Sequence, residues 1–328
     1  MTVLNIAMVG SDDLARSIAK PSDNRDVDTY VHKEGTGENA KILSIIRPAR
    51  YPERLPPLLS ALSVGKVGLI EVTNIDAVLG ETLVAFSSAG ISTGIAVISP
   101  TDGGWIDEEQ VKALFKQAGL SDWRFEPNDA IEMRSILYSM MEEISSELAD
   151  TQDETLLVPI DQHFNVKGIG LVAIGYVQRG TIRVHDSIAI TPTNGIGEVK
   201  SLQVMDDDVP AAKAGDRVGI ALRNTKENSL GKGVLITDKD ASNSLILHSK
   251  SSLDLDISPF QKRRLEIGDV VHASVDLQFV VGRVESNDPL VVTWESPLLI
   301  RSSDAPKVLI SQLDSSPRIM GSANLAPE

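Results

Sequence analysis

The chain has 328 residues, room for two or three domains of about 150 residues each, and its 42% apolar and 23% charged residues describe a globular rather than a disordered protein. It contains no cysteine, which excludes disulfides, thiolate catalysis and cysteine zinc sites, and its formal net charge of −15 argues against non-specific nucleic-acid binding and against DNA as a partner. No apolar run approaches the roughly 18 residues a membrane-spanning helix needs, and the first residues lack the basic and apolar regions of a signal peptide, so no membrane association and a cytoplasmic location are expected.

Strand-like and helix-like segments alternate along the first half. Residues 3–9 read as a strand and 12–19 as a helix that Pro21 stops. Residues 22–40, polar and holding Gly35 and Gly37, read as a loop. Strands follow at 41–46, 67–73 and 95–98, with helices at 53–62, 78–89, 107–118 and 129–148. Such alternation predicts a mostly parallel sheet covered by helices on both faces. After the polar stretch Asp150-Thr151-Gln152-Asp153-Glu154 helix signals nearly vanish. Short β-rich runs at 156–159, 170–177, 187–191, 197–205, 217–222 and 234–237, separated by turn residues, predict a small barrel. Another β-rich block runs from 245 to 320. The expected layout is therefore an α/β domain over residues 1–150, a β-barrel over 155–238 and a second barrel over 243–328. Charge is uneven: residues 1–150 hold 13 Lys/Arg against 23 Asp/Glu, a net of −10, and the remainder holds 18 against 23, a net of −5.

The middle block carries a resemblance. It opens on Pro159-Ile160-Asp161-Gln162-His163-Phe164, continues through Gly168-Ile169-Gly170, Arg179-Gly180-Thr181-Ile182 and Val199-Lys200-Ser201-Leu202-Gln203, and closes on Ala214-Gly215-Asp216-Arg217-Val218-Gly219-Ile220-Ala221-Leu222. For about 80 residues this resembles the second domain of translational GTPases of the elongation factor Tu class, and most of all the archaeal selenocysteine-specific elongation factors. The resemblance implies a P-loop-NTPase-like first domain followed by two β-barrels, and it implies a translation role. The selenocysteine-specific factors carry a fourth domain, and no counterpart of it is expected here.

A working GTPase of that class needs backbone N–H groups around the phosphates, a Lys on the β/γ-phosphates and a Ser/Thr on Mg²⁺. Where the class reads Gly-His-Val-Asp-His-Gly-Lys-Thr, this chain reads Gly10-Ser11-Asp12-Asp13-Leu14-Ala15-Arg16-Ser17. Gly10, Asp13 and Ser17 fit. Ala15 replaces the glycine that lets the backbone approach phosphate, and Arg16 replaces the lysine, which is not a conservative exchange. Against Asp-x-Pro-Gly-His the chain has Ile46, Arg47, Pro48, Ala49 and Arg50, so the metal-supporting carboxylate and the water-orienting imidazole are missing. Of the guanine-reading Asn-Lys-x-Asp, at Ser99-Pro100-Thr101-Asp102, the Asp alone remains. Gly10, Asp13, Arg16, Ser17 and Asp102 are thus a degenerate nucleotide site. No catalytic residue, metal or cofactor is expected; GTP and Mg²⁺ enter only on the alternative of a divergent GTPase.

The resemblance places the tRNA 3′-end pocket on the second domain, at Gln203 and Arg217, with Arg223 as a further phosphate contact. An arginine there suits an anionic selenolate or a phosphate; the competing reading has these residues only stabilising barrel strands. A tRNA or another translation component is the expected partner, and a protein-binding scaffold without RNA is the remaining alternative. The five histidines are dispersed and form no metal-spaced pair. Asp206-Asp207-Asp208 reads as a solvated turn, and Lys262-Arg263-Arg264 as a solvated basic face.

Overall fold

β1 (Thr2–Val9) is buried along six of its eight residues. In the computed structural model, which describes residues 1–101, 104–303 and 305–327, it forms the centre of a seven-stranded sheet. The other strands are β2 (Lys20–Asn24), β3 (Val27–Glu34), β4 (Lys41–Pro48), β5 (Val67–Val72), β6 (Gly94–Ile98) and β7 (Arg124–Glu126), in the order β2-β3-β4-β1-β5-β6-β7. All pairings from β4 to β7 are parallel; β2–β3 and β3–β4 are antiparallel. Two faces of one parallel sheet each need an apolar cover. α1 (Asp12–Ile18) and α5 (Ala130–Asp150) cover the side carrying Leu4, Ile6, Met8, Leu69 and Val97. α2 (Pro56–Val64), α3 (Ala77–Ser88) and α4 (Glu108–Gln117) cover Ala7, Ile70 and Ala96 on the other. Asp76, Asp107 and Asp129 cap α3, α4 and α5 through their carboxylates.

The expected loop at 22–40 is largely strand. Val27, Thr29 and Val31 are β-branched, and β3 pairs with β4 from end to end, burying Asp28, Thr29 and Tyr30. The buried Asp28 is stabilised by Arg47, 2.8 Å away on β4. β2 is polar because it is an edge strand, where Pro21 is tolerated.

Trp123, just before β7, fills the space beside β5 and β6. Its ring meets Phe86 and Phe115 at 5.3 and 5.5 Å between centroids, and its Nε1–H donates to the Ile91 carbonyl at 3.3 Å. A Cβ at Gly68 would stand 2.1 Å from Trp123 Cη2, and one at Gly94 2.9 Å from the same atom. Both glycines are the floor on which the indole lies.

The second domain is a closed six-stranded barrel of β8 (Val158–Val166), β9 (Gly170–Tyr176), β11 (Ser187–Thr191), β12 (Gly195–Val204), β15 (Arg217–Arg223) and β16 (Leu235–Asp238). β13 (Asp207–Val209) extends it beside β12, and β10 (Thr181–Arg183) pairs with β14 (Ala211–Lys213). The third closes through β17 (Leu245–Ile257), β20 (Leu290–Arg301), β19 (Gln278–Asn287), β18 (Val270–Val275), β21 (Val308–Ser311) and β22 (Ile319–Pro327). The architecture is the expected one, a mostly parallel α/β domain followed by two β-barrels. Closure removes the exposed strand edges that an open antiparallel sheet would leave.

The three units share cores. Val3 and Ile42 pack into the first barrel's interior cluster, and Tyr176, Leu277, Leu309 and Ile319 join the cluster under α2, α3 and α4. Polar contacts add register: Asn5 Nδ2 donates to the Gly215 carbonyl at 2.8 Å, Gln178 Nε2 to the Ser63 carbonyl at 3.0 Å, and the Leu277 N–H to Ser63 Oγ at 2.9 Å.

Inside the second barrel, His248 is 1% exposed. Its Nδ1 lies 2.9 Å from Ser251 Oγ, which accepts the Trp294 indole N–H at 2.9 Å. With that lone pair used, the serine O–H is free to donate to Nδ1, so the imidazole is neutral. Burial holds its pKa below the usual histidine value. The unfolded chain therefore takes up a proton near pH 6.5 that the folded chain refuses, and stability falls as the pH drops below that value. Urea titrations at pH 7 and pH 5 should show the folded state losing stability, and His248→Gln should flatten the dependence; an unchanged slope in the variant would refute this account.

Candidate functional site

Two places at the ends of strands qualify, and the first is where β1 ends. A phosphate-binding loop would have to leave β1, turn around the anion and only then enter a helix. Here the helix begins at once: Ser11 is the N-cap, its Oγ accepting from the Leu14 N–H at 3.1 Å, and the Ala15 N–H bonds the Ser11 carbonyl at 3.3 Å. The N–H of Ser11 itself donates to Glu71 Oε2 at 2.6 Å. That carboxylate, from β5, lies at the helix entrance where an anion is electrostatically favoured. Gly10 has a local reason to be glycine, because a Cβ there would meet Glu71 Cβ and Met8 Cε at 2.9 Å.

The candidate side chains are committed elsewhere. Asp13 and Arg16 are on the exposed side of α1, and Arg16 pairs with Asp12 one turn earlier. Asp12 also accepts from the Tyr30 hydroxyl, and that bond together with Arg16 holds its pKa below the ordinary carboxylate range. Burial and Asp12 push the Tyr30 phenol up to about 12. Ser17 Oγ donates to the Leu14 carbonyl at 2.7 Å. Arg47 donates from Nε to the Gly10 carbonyl at 2.8 Å and from Nη1 to Asp28. Asp102 lies outside the described residues. What remains is a 390 Å³ pocket with Glu71, Asp76 and Arg47 on its walls.

These residues do not fit a magnesium triphosphate. The N–H groups of Ser11, Leu14 and Ala15 are already bonded to Glu71 and Ser11, Ala15 is fully buried in α1, and a carboxylate occupies the anion position. β2 starts two residues after α1 ends, leaving no loop to fold over a nucleotide. Among the described residues, no group of three or more His, Asp or Glu side chains could hold a metal ion.

The second place is a 510 Å³ cleft where all three domains meet. Asp23, Arg25 and Asp26 of the β2–β3 hairpin form one wall, Arg50 and Ser60 another, Asp161, Gln162, Tyr176, Arg217 and Lys232 of the first barrel a third, and Leu277 of the second barrel closes it. Arg217 stands opposite Tyr176 on the neighbouring strand. The β8 register slips between Ile160 and Gln162, a bulge that brings both Asp161 and Gln162 to the cleft. Arg217 Nη2 reaches Asp23 at 3.3 Å. Its Nε, and both polar atoms of the Gln162 amide, are buried without a hydrogen-bond partner. Burial pushes the Tyr176 phenol up to about 12, against the pull of Arg217.

Of the three residues assigned to the tRNA end, only Arg217 lines this cleft. Gln203 lies on the adjacent strand opposite Gly219, on the same outer face of the barrel as Arg217, with its amide donating to Asp208 at 2.9 Å. Arg223 is at the far end of β15, six residues or about 20 Å along the strand, and pairs with Glu198 at 3.5 Å. Asp23, Gln162 and Glu71 were not singled out from the sequence. For Glu71 a signal existed, a lone carboxylate in the apolar strand Val67–Val72. Asp23 and Gln162 gave none, since their meeting depends on how the domains pack.

Comparison with known proteins agrees with this architecture. Residues 170–237 match the family "Elongation factor Tu domain 2". An uncharacterized protein of Methanocaldococcus jannaschii, MJ0325, is 28% identical over 286 residues, 87% of each chain. The selenocysteine-specific elongation factor of the same organism is 30% identical over 146 residues, 43% of this chain and 31% of that factor. In fold, the chain is similar over its whole length to translation elongation factor SelB from Methanococcus maripaludis in complex with the GTP analogue GPPNHP, with a TM-score of 0.76, 20% identity and 80% of that chain covered. Residues 170–237 thus match the elongation factor Tu domain 2 family, and the chain as a whole has the fold of a selenocysteine-specific elongation factor, to which part of its sequence is also similar.

Proposed function

We propose that this protein acts in translation, that it no longer binds or hydrolyses GTP, and that it receives the 3′ end of a tRNA in the cleft where its three domains meet. The observation that carries the reading is the concentration of unsatisfied polar atoms at Arg217 and Gln162. Native proteins pair nearly all buried polar groups, and a ligand in the cleft would supply the partners that Arg217 and Gln162 lack. The charge agrees: the cleft holds Arg25, Arg50, Arg217 and Lys232 against Asp23, Asp26 and Asp161, a positive balance in a chain of net charge −15. Loss of the nucleotide is supported by the Glu71 carboxylate on the Ser11 N–H and by the helix that replaces the loop.

Two measurements test it. Calorimetric titration with GTP and Mg²⁺ should give no binding, and Ala15→Gly with Arg16→Lys should not restore it, because Glu71 and α1 still fill the site. Micromolar binding by the wild-type protein would overturn this half. In electrophoretic shift assays, tRNA should bind in a salt-sensitive manner and Arg217→Met should abolish the shift. If no tRNA shifts, while a translation protein is retained through nuclease treatment, the partner is protein and the RNA half falls.

A further inference from the structure

The assignment of the cleft to an anionic ligand rests on the function proposed above, and one residue of the first domain bears directly on it. The Nε and Nη2 edge of a guanidinium matches the two oxygens of a phosphate or carboxylate. At Arg217 this edge is half used. Asp23 reaches Nη2 alone, at 3.3 Å, long for a charge-assisted bond, while the adjoining Nε is buried with no partner. Asp23 comes from β2, on the edge hairpin of the first domain, whereas Arg217 belongs to the first barrel; their contact closes the cleft across a domain boundary. Asp23 also has a second cation within reach, Arg25 Nε at 3.4 Å on its other carboxylate oxygen, so releasing Arg217 does not leave it unpaired.

We infer that Asp23 is a built-in competitor for the ligand: the β2–β3 hairpin holds a carboxylate against Arg217, and an incoming phosphate displaces it to take both N–H groups of the guanidinium edge. Gln162 then serves as the second recognition point. Its amide, one donor and one acceptor, complements the paired acceptor and donor on a base edge, as Gln does with the N7 and N6 of adenine. The ligand class is a phosphate attached to a purine nucleoside.

The probe is AMP, with inorganic phosphate and acetate as separate arms, titrated calorimetrically into the full-length protein. Asp23→Asn, close in size but uncharged, should bind AMP about tenfold more tightly than wild type, the effect of removing one like charge beside the bound anion. Arg217→Met should lose AMP and phosphate alike. Gln162→Ala should weaken AMP and leave inorganic phosphate unchanged. Acetate binding as tight as phosphate would contradict the phosphate assignment. If Asp23→Asn binds AMP no better than wild type, or neither protein binds it, the inference is wrong; Asp23→Ser provides the same comparison should the asparagine variant fold poorly. The tRNA reading is separable: tighter AMP binding with no tRNA shift in either protein leaves Asp23 a competitor and removes tRNA as the ligand, whereas a tRNA shift indifferent to Asp23→Asn removes the competitor and keeps tRNA.

Discussion

Glu81→Ala should destabilise the folded protein by about 3–5 kcal/mol, the cost of leaving the partner of a buried ion pair uncompensated. Glu81 projects from α3 in the first domain and Arg318 lies just before β22 in the third. The carboxylate accepts from Arg318 Nη2 at 2.5 Å, from Nε at 3.0 Å and from the Arg318 backbone N–H at 2.8 Å, and the Tyr51 hydroxyl adds a bond at 3.2 Å. The two side chains are only 10% and 18% exposed. Burial alone would raise the Glu81 pKa, but the Arg318 bonds outweigh it and hold the carboxyl below its usual range. A depressed carboxylate pKa contributes stability that is present at neutral pH and is lost as the pH falls below about 4.3 toward the folded-state value. Urea denaturation of Glu81→Ala, Arg318→Met and the double variant checks this. The double variant should recover much of the loss, since replacing both charges with apolar groups removes the stranded cation. Additive losses would mean that the pair is not the fastening between these domains.

Gly68→Ala should cost about 3 kcal/mol, at the upper end of overpacking penalties, although it adds one methyl group to an apolar strand. The new Cβ would stand 2.1 Å from Trp123 Cη2, 2.5 Å from its Cζ2 and 2.8 Å from Phe86 Cε1. Neither ring can withdraw, because the indole N–H is bonded to Ile91 and the ring is held edge-on by Phe86 and Phe115. Combining Gly68→Ala with Trp123→Leu should relieve the clash, so the double variant should be more stable than the sum of the single losses implies. Denaturation midpoints of the four proteins measure this coupling. Independent effects would show that the indole does not set the size limit at position 68.

The strand that Gly68 occupies illustrates which features are visible before folding. An apolar, β-branched run bounded by turn residues identifies β5 without any tertiary information, and the same holds for β1, β4 and β6. The capping aspartates 107 and 129 likewise mark where α4 and α5 begin. Polar edge strands give no such signal. Lys20–Asn24 has the composition of a loop and becomes a strand because β3 offers it a partner, while the buried Asp28 within β3 is legible only once Arg47 is known to lie beside it.

The degenerate nucleotide motifs were readable as residue substitutions, but the full form of the replacement was not. Ala15 and Arg16 mark the departure from a phosphate-binding loop, and the helix that starts at Asp12 is legible as well; nothing local indicates that a carboxylate 60 residues away would take the anion position. Gln203 and Arg217 follow from motif matching, with Arg223 added as a further phosphate contact, yet the packing of β15 against its neighbours puts only Arg217 in the cleft.

Sequence alone determined the alternation that produces the parallel sheet, the change to short β-runs that produces the two barrels, and the loss of the residues a GTPase requires. These are consequences of local periodicity and residue chemistry, which the chain carries wherever it lies. Tertiary structure alone decided that Glu71 meets Ser11, that Asp23 meets Arg217, and that the Gln162 amide is buried unpaired in the same cleft as Arg217. Such contacts join residues 60 to 194 positions apart, and they exist only after the apolar faces of three domains have been buried against one another.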